Sequence, residues 1–520
     1  MKLKFGMSGI AAMAGLLVAA AGVSVAGAAP AAAATCAGVG SDYNGDGLID
    51  NVVTDPQASV NGVQEAGLVR VIYAGGAGVA EISQATPGMG AVVPERGDRF
   101  GSAIAWTDFN GDGCTDLAVG TPNEDTGTDG TAIKDAGIVH IIYGSPSGLG
   151  AGPATHLYGQ ESFGSGTNEA GDLFGYALQA GTADSGKPFL VIGAPGEGVF
   201  VDGVNKANAG AITYMQGDTR GLITQDSPGV PGIAEAGDQF GAALAATNRY
   251  FAVGEPGETI GDEAVAAGGV AVFNHTLADG LPTPLVGLDQ AGEGEGLAGI
   301  AEAGDRFGTA LSMTNYRPAS ATYNTDALLA IGTPGEAVGS VQAAGCAVVV
   351  RIEPSGKFTQ VTALDAAVAN VEGDPAAGDS FGQRVAITNT NTEVVTTTST
   401  TRLAVGVPGR DVDGVADAGV VHIFKPLDSD AGSADKIIKR GSGVLPGTPN
   451  ARDFTGIALR SGTTLLYIGV PYSKDPATSK GVLYTMPWTD IDGTTNVGTK
   501  TFQPGVSGLS DIGTAFATVG

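Results

Sequence analysis

Cysteine, histidine and basic residues are all scarce in this chain, and each scarcity removes a class of function. Three cysteines in 520 residues exclude a dense disulfide framework and any cysteine-rich zinc module. Four histidines, none in a His-Glu-x-x-His arrangement, leave no zinc-protease helix. A Gly-x-Ser-x-Gly elbow, a Cys-x-x-Cys site and a phosphate loop are likewise missing. Lys and Arg number 26 against 54 Asp and Glu, a formal charge of −28, which argues against nucleic acid or anionic lipid as partner. Lys and Glu are sparse beside 85 glycines, a composition that disfavours long helices.

What is present begins with a leader. Lys2 and Lys4 precede an apolar run from Ile10 to Val25, and small residues follow through Ala34. That is the order of a secretory signal, with cleavage sites overlapping between Ala28 and Ala34. A membrane anchor is the other reading, but the run is short for a span. No second apolar run of membrane length occurs, so no integral membrane segment is expected in residues 35–520. Cys36 lacks the Leu-x-Ala/Gly context of a lipoprotein cysteine. In an oxidising compartment Cys36 and Cys114 are expected to pair, with free thiols as the alternative. Cys346, within Ala344-Gly345-Cys346-Ala347-Val348, reads as a small buried hydrophobe of a strand.

One phrase then recurs five times, Gly-Asp-x-Phe-Gly, centred on Phe100, Phe174, Phe240, Phe307 and Phe381. Each copy is answered by Gly-x-Pro, at Gly120-Thr121-Pro122, Gly193-Ala194-Pro195, Gly254-Glu255-Pro256, Gly332-Thr333-Pro334 and Gly406-Val407-Pro408. A weaker sixth copy is Asp453-Phe454-Thr455-Gly456 with Gly469-Val470-Pro471. A fixed long period signifies like units that stack or close on each other. Each unit carries short β segments between turn residues, such as Asp116 to Gly120 and the alternating Ile138 to Tyr143. Four strands per unit in closed radial repetition describe a β-propeller. The chain ends complement each other. The N-terminal part has later strands (Ile49 to Val53, Leu68 to Tyr73) but no Phe-Gly. The C-terminus carries an orphan Phe-Gly-like segment from Asp511 to Ala517, read with Ile512-Gly513 in the motif. The fold expected is therefore all-β, a seven-bladed propeller over residues 35–520 whose closing blade is shared between the termini.

Phe-Gly and Gly-Ala-Pro motifs at this spacing resemble the FG-GAP repeats of the integrin α-subunit N-terminal propeller. Related repeats occur in secreted bacterial proteins and in a glycosylphosphatidylinositol-specific phospholipase D. The resemblance spans nearly all of residues 35–520 and implies a secreted bacterial member of that fold, without by itself implying adhesion or catalysis.

Two loops carry the clearest chemistry. Asp42-Tyr43-Asn44-Gly45-Asp46-Gly47-Leu48-Ile49-Asp50 and Asp108-Phe109-Asn110-Gly111-Asp112-Gly113-Cys114-Thr115-Asp116 both read D-x-N-x-D-G-x-x-D. Hard Ca²⁺ takes oxygen ligands, here the side chains of Asp42, Asn44, Asp46 and Asp50 with the Leu48 carbonyl. The second set is Asp108, Asn110, Asp112 and Asp116 with the Cys114 carbonyl. Val53 and Val119 stand where an EF-hand needs its glutamate, so these are inter-strand loops, as the resemblance also implies. Two structural Ca²⁺ ions are expected. Asp411 to Asp417 follows a Gly-x-Pro and reads as a solvated acidic loop.

The repeated Asp98, Asp172, Asp238, Asp305 and Asp379 fit turn capping better than catalysis, and no catalytic residue is assigned. His140 and His422 occupy the strand slot of Arg70. The segments after Gly-x-Pro vary and lie opposite the Ca²⁺ loops, the face that the integrin resemblance associates with protein ligands. The reading is a secreted, calcium-binding, monomeric interaction module for an extracellular protein or glycan. A secreted hydrolase, esterase- or phospholipase-like, or an inert scaffold are the alternatives.

Overall fold

The structure, a computed structural model, describes residues 36–517 except 128–130, 164–165, 262 and 291–296. The signal expected at 1–34 lies outside the described residues. Within the unit Thr35–Gly520, the strands form six four-stranded antiparallel sheets and one three-stranded sheet, with one extra two-stranded hairpin. The protein is a seven-bladed β-propeller. In blade 2 the strands are Ala103–Thr107, Asp116–Thr121, Ile138–Ile142 and His156–Tyr158, paired in sequence order from the inside out. The hairpin Val199–Val201 with Val204–Lys206 is an insertion after the second strand of blade 3.

The second strands explain the apolar runs seen in the sequence. Every residue of Asp326–Thr333 is buried, because both faces of a blade are covered by neighbouring blades. Successive side chains point to opposite faces. Leu328 and Ala330 accordingly join the core shared with blade 6, while Leu329 and Ile331 join that shared with blade 4.

The repeated motif is the stitch between blades. The Phe174 N–H donates to Ala136 O in the preceding blade (3.0 Å), and Phe240, Phe307 and Phe381 repeat this with Ala209, Ala267 and Ala344. The next glycine, Gly175, donates to Gly193 O of its own blade (3.0 Å). A Cβ on Gly137 would sit 2.3 Å from the Phe174 carbonyl oxygen, and one on Gly120 would sit 2.0 Å from that of Gly175. The main chains of adjacent blades therefore approach too closely for any side chain, which is why glycine recurs in both halves of the motif. The residue between Asp and Phe is held at positive φ in each copy (Arg99 58°, Leu173 59°, Gln239 60°).

The ring closes as expected, but four residues later in the chain than the Ile512-Gly513 reading placed it. Phe516 is fully buried and donates its N–H to Lys480 O (2.9 Å), and Ala517 donates to Thr54 O (3.0 Å). These are the contacts of a Phe and a Gly in the motif. Arg70 confirms the register, since its guanidinium lies 5.3 Å over the Phe516 ring, as His140 lies 5.1 Å from Phe100. Thr54-Asp55-Pro56 then occupies the place of Gly-x-Pro in the first blade. Asp55 accepts from the N–H groups of Thr514 (2.8 Å) and Ala515 (3.0 Å). In the sixth copy the Phe position is taken by Thr455, whose N–H donates to Ala418 O (3.0 Å), and Phe454 precedes it at positive φ.

Candidate functional site

On the face opposite the Phe-Gly turns, the Asp108–Asp116 loop joins the innermost strand of blade 2 to its second strand, and the Asp42–Asp50 loop leads into the strand Asn51–Asp55 of blade 1. They fold alike. Asp42 accepts from the N–H groups of Asp46 (3.2 Å) and Gly47 (2.8 Å), and Asp108 accepts from Asp112 (3.2 Å) and Gly113 (2.8 Å). Asn44 Oδ1 and Asn110 Oδ1 accept from Asp46 N–H (3.1 Å) and Asp112 N–H (2.9 Å). Asp46 and Asp112 accept from the N–H groups of Leu48 (2.9 Å) and Cys114 (2.8 Å). The closing residues are framed from two sides: Asp50 by Tyr43 and Ala74 N–H, Asp116 by Phe109 and Gly144 N–H.

The loops also touch each other. Thr115 N–H donates to Asp42 O (3.0 Å) and Gly38 N–H to Gly113 O (3.0 Å). Cys36 and Cys114 are disulfide-bonded, with Cα atoms 4.9 Å apart, so the described chain is fastened between the two loops at its start. Cys346 is buried and free, and burial pushes its thiol up. Each loop carries three carboxylates, an amide oxygen and a main-chain carbonyl within nine residues, a donor set of the kind a hard divalent cation takes. Burial raises the Asp116 carboxyl to about 7, with Asp108 and Asp112 adding to it. Asp50 moves the same way, from burial and then Asp46 and Asp42. Clustered like charges of this kind are relieved by a cation.

On the Phe-Gly face the repeat aspartates cap turns. Asp172, Asp305, Asp379 and Asp453 accept the N–H three residues earlier, at 2.6, 2.6, 3.0 and 2.8 Å. Beside them lie glutamates two positions after the proline of Gly-x-Pro. Glu124, Glu197, Glu258 and Glu336 each accept from a glutamine amide, that of Gln84, Gln160, Gln225 and Gln290 in turn. Burial, followed by the neighbouring Asp98, lifts Glu124 to about 8. Burial likewise lifts Asp172, Glu258 and Glu336 to about 7.

A carboxyl whose pKa is raised by folding favours the native state only while protonated. Its contribution is fully present below the unfolded value near 4.5 and is lost as pH rises through 7 to 8. In the presence of a chelator, Tm should therefore rise by roughly 2–5 °C on going from pH 8 to pH 5.5. Glu124→Gln should raise Tm at pH 8 and flatten the profile. Thermal melts across that range check this, and a Tm that falls towards pH 5.5 contradicts the assignment.

The segments after Gly-x-Pro share this face. They form miniature hairpins, with bridges at Val60–Val63, Thr126–Ile133, Ile260–Ala264, Val338–Val341 and Val412–Val415. The acidic stretch Asp411 to Asp417 is one of them, as expected, with Val412 buried at its base. Large exposed apolar side chains on these loops and on those entering Phe-Gly include Val93, Phe200, Val204, Ile233, Val265 and Ile300, while Leu48, Ile49, Tyr323, Val394 and Val497 are exposed on the opposite face.

The innermost strands surround a central channel of about 500 Å³. Sequence reasoning missed it. Its lining includes Tyr176, Gln179, Ser312, Arg384, Arg460 and Tyr472. The signal was present slot by slot: the second residue after the motif glycine is Ala103, Ala177, Ala243, Ala310 and Ala458 in other blades but Arg384 in blade 6. Arg460 stacks at 3.7 Å on Trp106, joining blades 7 and 2 across the shared blade. Three of the histidines are packed into the sheets. His140 contacts Phe100 (5.1 Å), His275 meets the Tyr214 hydroxyl (2.8 Å), and His422 meets Asp435 (2.9 Å). The exposed His156 stacks on Tyr158.

Residues 100–142 match the FG-GAP repeat family. The chain is 32% identical over 177 residues to phosphatidylinositol-glycan-specific phospholipase D of Mus musculus, which covers 34% of this chain and 19% of that protein. It is 32% identical over 174 residues to integrin alpha-PS5 of Drosophila melanogaster, covering 31% and 15%. For integrin alpha-PS2 of the same organism the identity is 33% over 162 residues, covering 30% and 11%. The match thus spans less than a fifth of the length of each of these relatives.

Proposed function

We infer, from the premise that this is an FG-GAP repeat protein resembling the integrin α subunits, that it is a secreted, calcium-binding interaction module. Its Phe-Gly face captures an extracellular protein or glycan. The observation that carries this reading is the pair Phe200 (65%) and Val204 (58%), held out on the hairpin inserted after the second strand of blade 3, with Ile233 and Ile300 exposed on the same face. Apolar groups held out on the loops of a rigid ring mark a binding surface. Calcium at the Asp42–Asp50 and Asp108–Asp116 loops serves the opposite face as a structural brace. No helix among the described residues is long and apolar enough to cross a membrane, in keeping with an exported module.

A hydrolase on this scaffold would need a nucleophile or a carboxylate pair meeting a histidine in a cleft. The channel is lined by neither acid nor histidine among the described residues, and a second cleft, which has Asp108 and Asp218 in its lining, contains no histidine among them, so neither favours the hydrolase over binding. The test is retention of extracellular-matrix proteins and glycans on the immobilised protein. Phe200→Ser with Val204→Ser should lose the retained partner, whereas Ile49→Ser on the opposite face should keep it. Equal retention by the two variants contradicts the reading.

A further inference from the structure

The channel combines features that nothing in the repeat requires. The protein carries 54 acidic residues against 26 basic ones, yet the channel wall contains Arg99, Arg384 and Arg460 and no carboxylate among the described residues. Arg99 is engaged at the rim by Glu65 (2.9 Å). Arg384 is different. Five blades place alanine in its slot, and the small side chains leave the space into which its guanidinium extends. One of its N–H groups donates to the neighbouring Gln383 carbonyl (3.2 Å), and no carboxylate among the described residues pairs with it. Arg384 is partly buried, lacks a charged partner among the described residues, and a guanidinium partly withdrawn from water is normally paired. Burial here lowers its pKa, opposed by Tyr176.

We propose that the central channel is a binding site for a small hydroxylated carboxylic acid of the sugar-acid class, its carboxylate held by Arg384. The guanidinium fork matches a carboxylate in two parallel hydrogen bonds. Apart from Arg99 and Arg460 the rest of the wall is uncharged, mostly small and aliphatic side chains, with polar groups at Gln179, Ser312, Ser461, Tyr176 and Tyr472; Gln179, Ser312 and Ser461 each also make one main-chain hydrogen bond. Hydroxyls and amides of that kind suit ring hydroxyl groups, and the tyrosines offer faces for a sugar ring. A volume of about 500 Å³ lies within the range of small-ligand sites, roughly 300–1,000 Å³. The outer surface is acidic, so attraction must be local, which screening within about 8 Å at physiological salt allows.

The channel opens on the Phe-Gly face, so this deepens the reading above and rests on it, but the two fail separately. Calorimetric titration of the full chain with glucuronate, glucose and inorganic phosphate tests it. A glucuronate-terminated oligosaccharide distinguishes a free acid from the end of a glycan. Glucuronate should bind, in free or terminal form, and glucose should not. Arg384→Ala, the residue that the other blades carry, should weaken glucuronate at least tenfold with unchanged Tm, and Arg384→Lys should retain part of the affinity. Partner retention by the loop face should be unaffected by Arg384→Ala. No glucuronate binding to the wild type, equal affinity in Arg384→Ala, or phosphate binding as tightly as glucuronate would each overturn the assignment.

Discussion

Deleting Ser510–Gly520 is expected to destabilise the whole ring by about 5 kcal/mol or more, far beyond the effect of trimming an ordinary tail. Phe516 and Ala517 are buried with Leu509, Val53 and Leu483 in the core that joins the two chain ends. Removing Phe516 and Ala517 exposes that core and leaves the Asp55 carboxylate, now bonded to Thr514 and Ala515 N–H, buried with fewer partners. It also strips Arg70 of the ring it lies against. Blades 7 and 1 would then face each other across an open seam. Ala517→Gly provides the opposite sign. Ala517 stands at φ 75° in a slot that six other units fill with glycine, and a left-handed non-glycine residue costs roughly 1–2 kcal/mol. The substitution should raise stability by about 1 kcal/mol. Denaturant titrations of both variants check this, and melting unchanged by the deletion would refute the shared blade.

How far the sequence revealed the fold depends on glycine. Where Phe-Gly and Gly-x-Pro stand intact, close approach of main chains forces those residues, and blade number, strand order and turn-capping aspartates can be read directly. The shared blade was visible only as a deficit at each end. Its true register was hidden because Ala517 and Thr54 replace the glycines that mark the stitch elsewhere. The same substitution logic obscured Thr455, since the eye follows Phe454. The paired acidic loops were legible because both repeat one nine-residue pattern, and the Cys36–Cys114 bridge because those loops lie in neighbouring blades. The channel was not, because it is the space between strands from different blades. No local pattern encodes it. Arg384 becomes conspicuous only when the equivalent residues Ala103, Ala177, Ala243, Ala310 and Ala458 are set beside it.

Chelation of calcium is expected to lower Tm, and saturating calcium to restore it. Each loop carries three carboxylates within nine residues, and the Asp116 pKa is lifted to about 7 by burial, with its acidic neighbours adding to it. A cation bound only by the folded state adds about 2.7 kcal/mol per site at a hundredfold excess over Kd, so two filled loops amount to about 5 kcal/mol. The clean variant is Asp46→Asn with Asp112→Asn. Asparagine keeps the Oδ1 that accepts from Leu48 and Cys114 N–H and loses only the exposed bonds from Asn44 and Asn110 Nδ2, so the turns survive while the charges go. That variant should melt close to the chelated wild type and gain little from calcium. The bridge between Cys36 and Cys114 fastens the chain beside both loops, so reduction should make the calcium-free protein still less stable. Calorimetry in which calcium releases no heat on binding the wild type would remove the metal and leave these loops as hydrogen-bonded acidic turns. A response that persists undiminished in the double variant would instead place the ion elsewhere on the propeller.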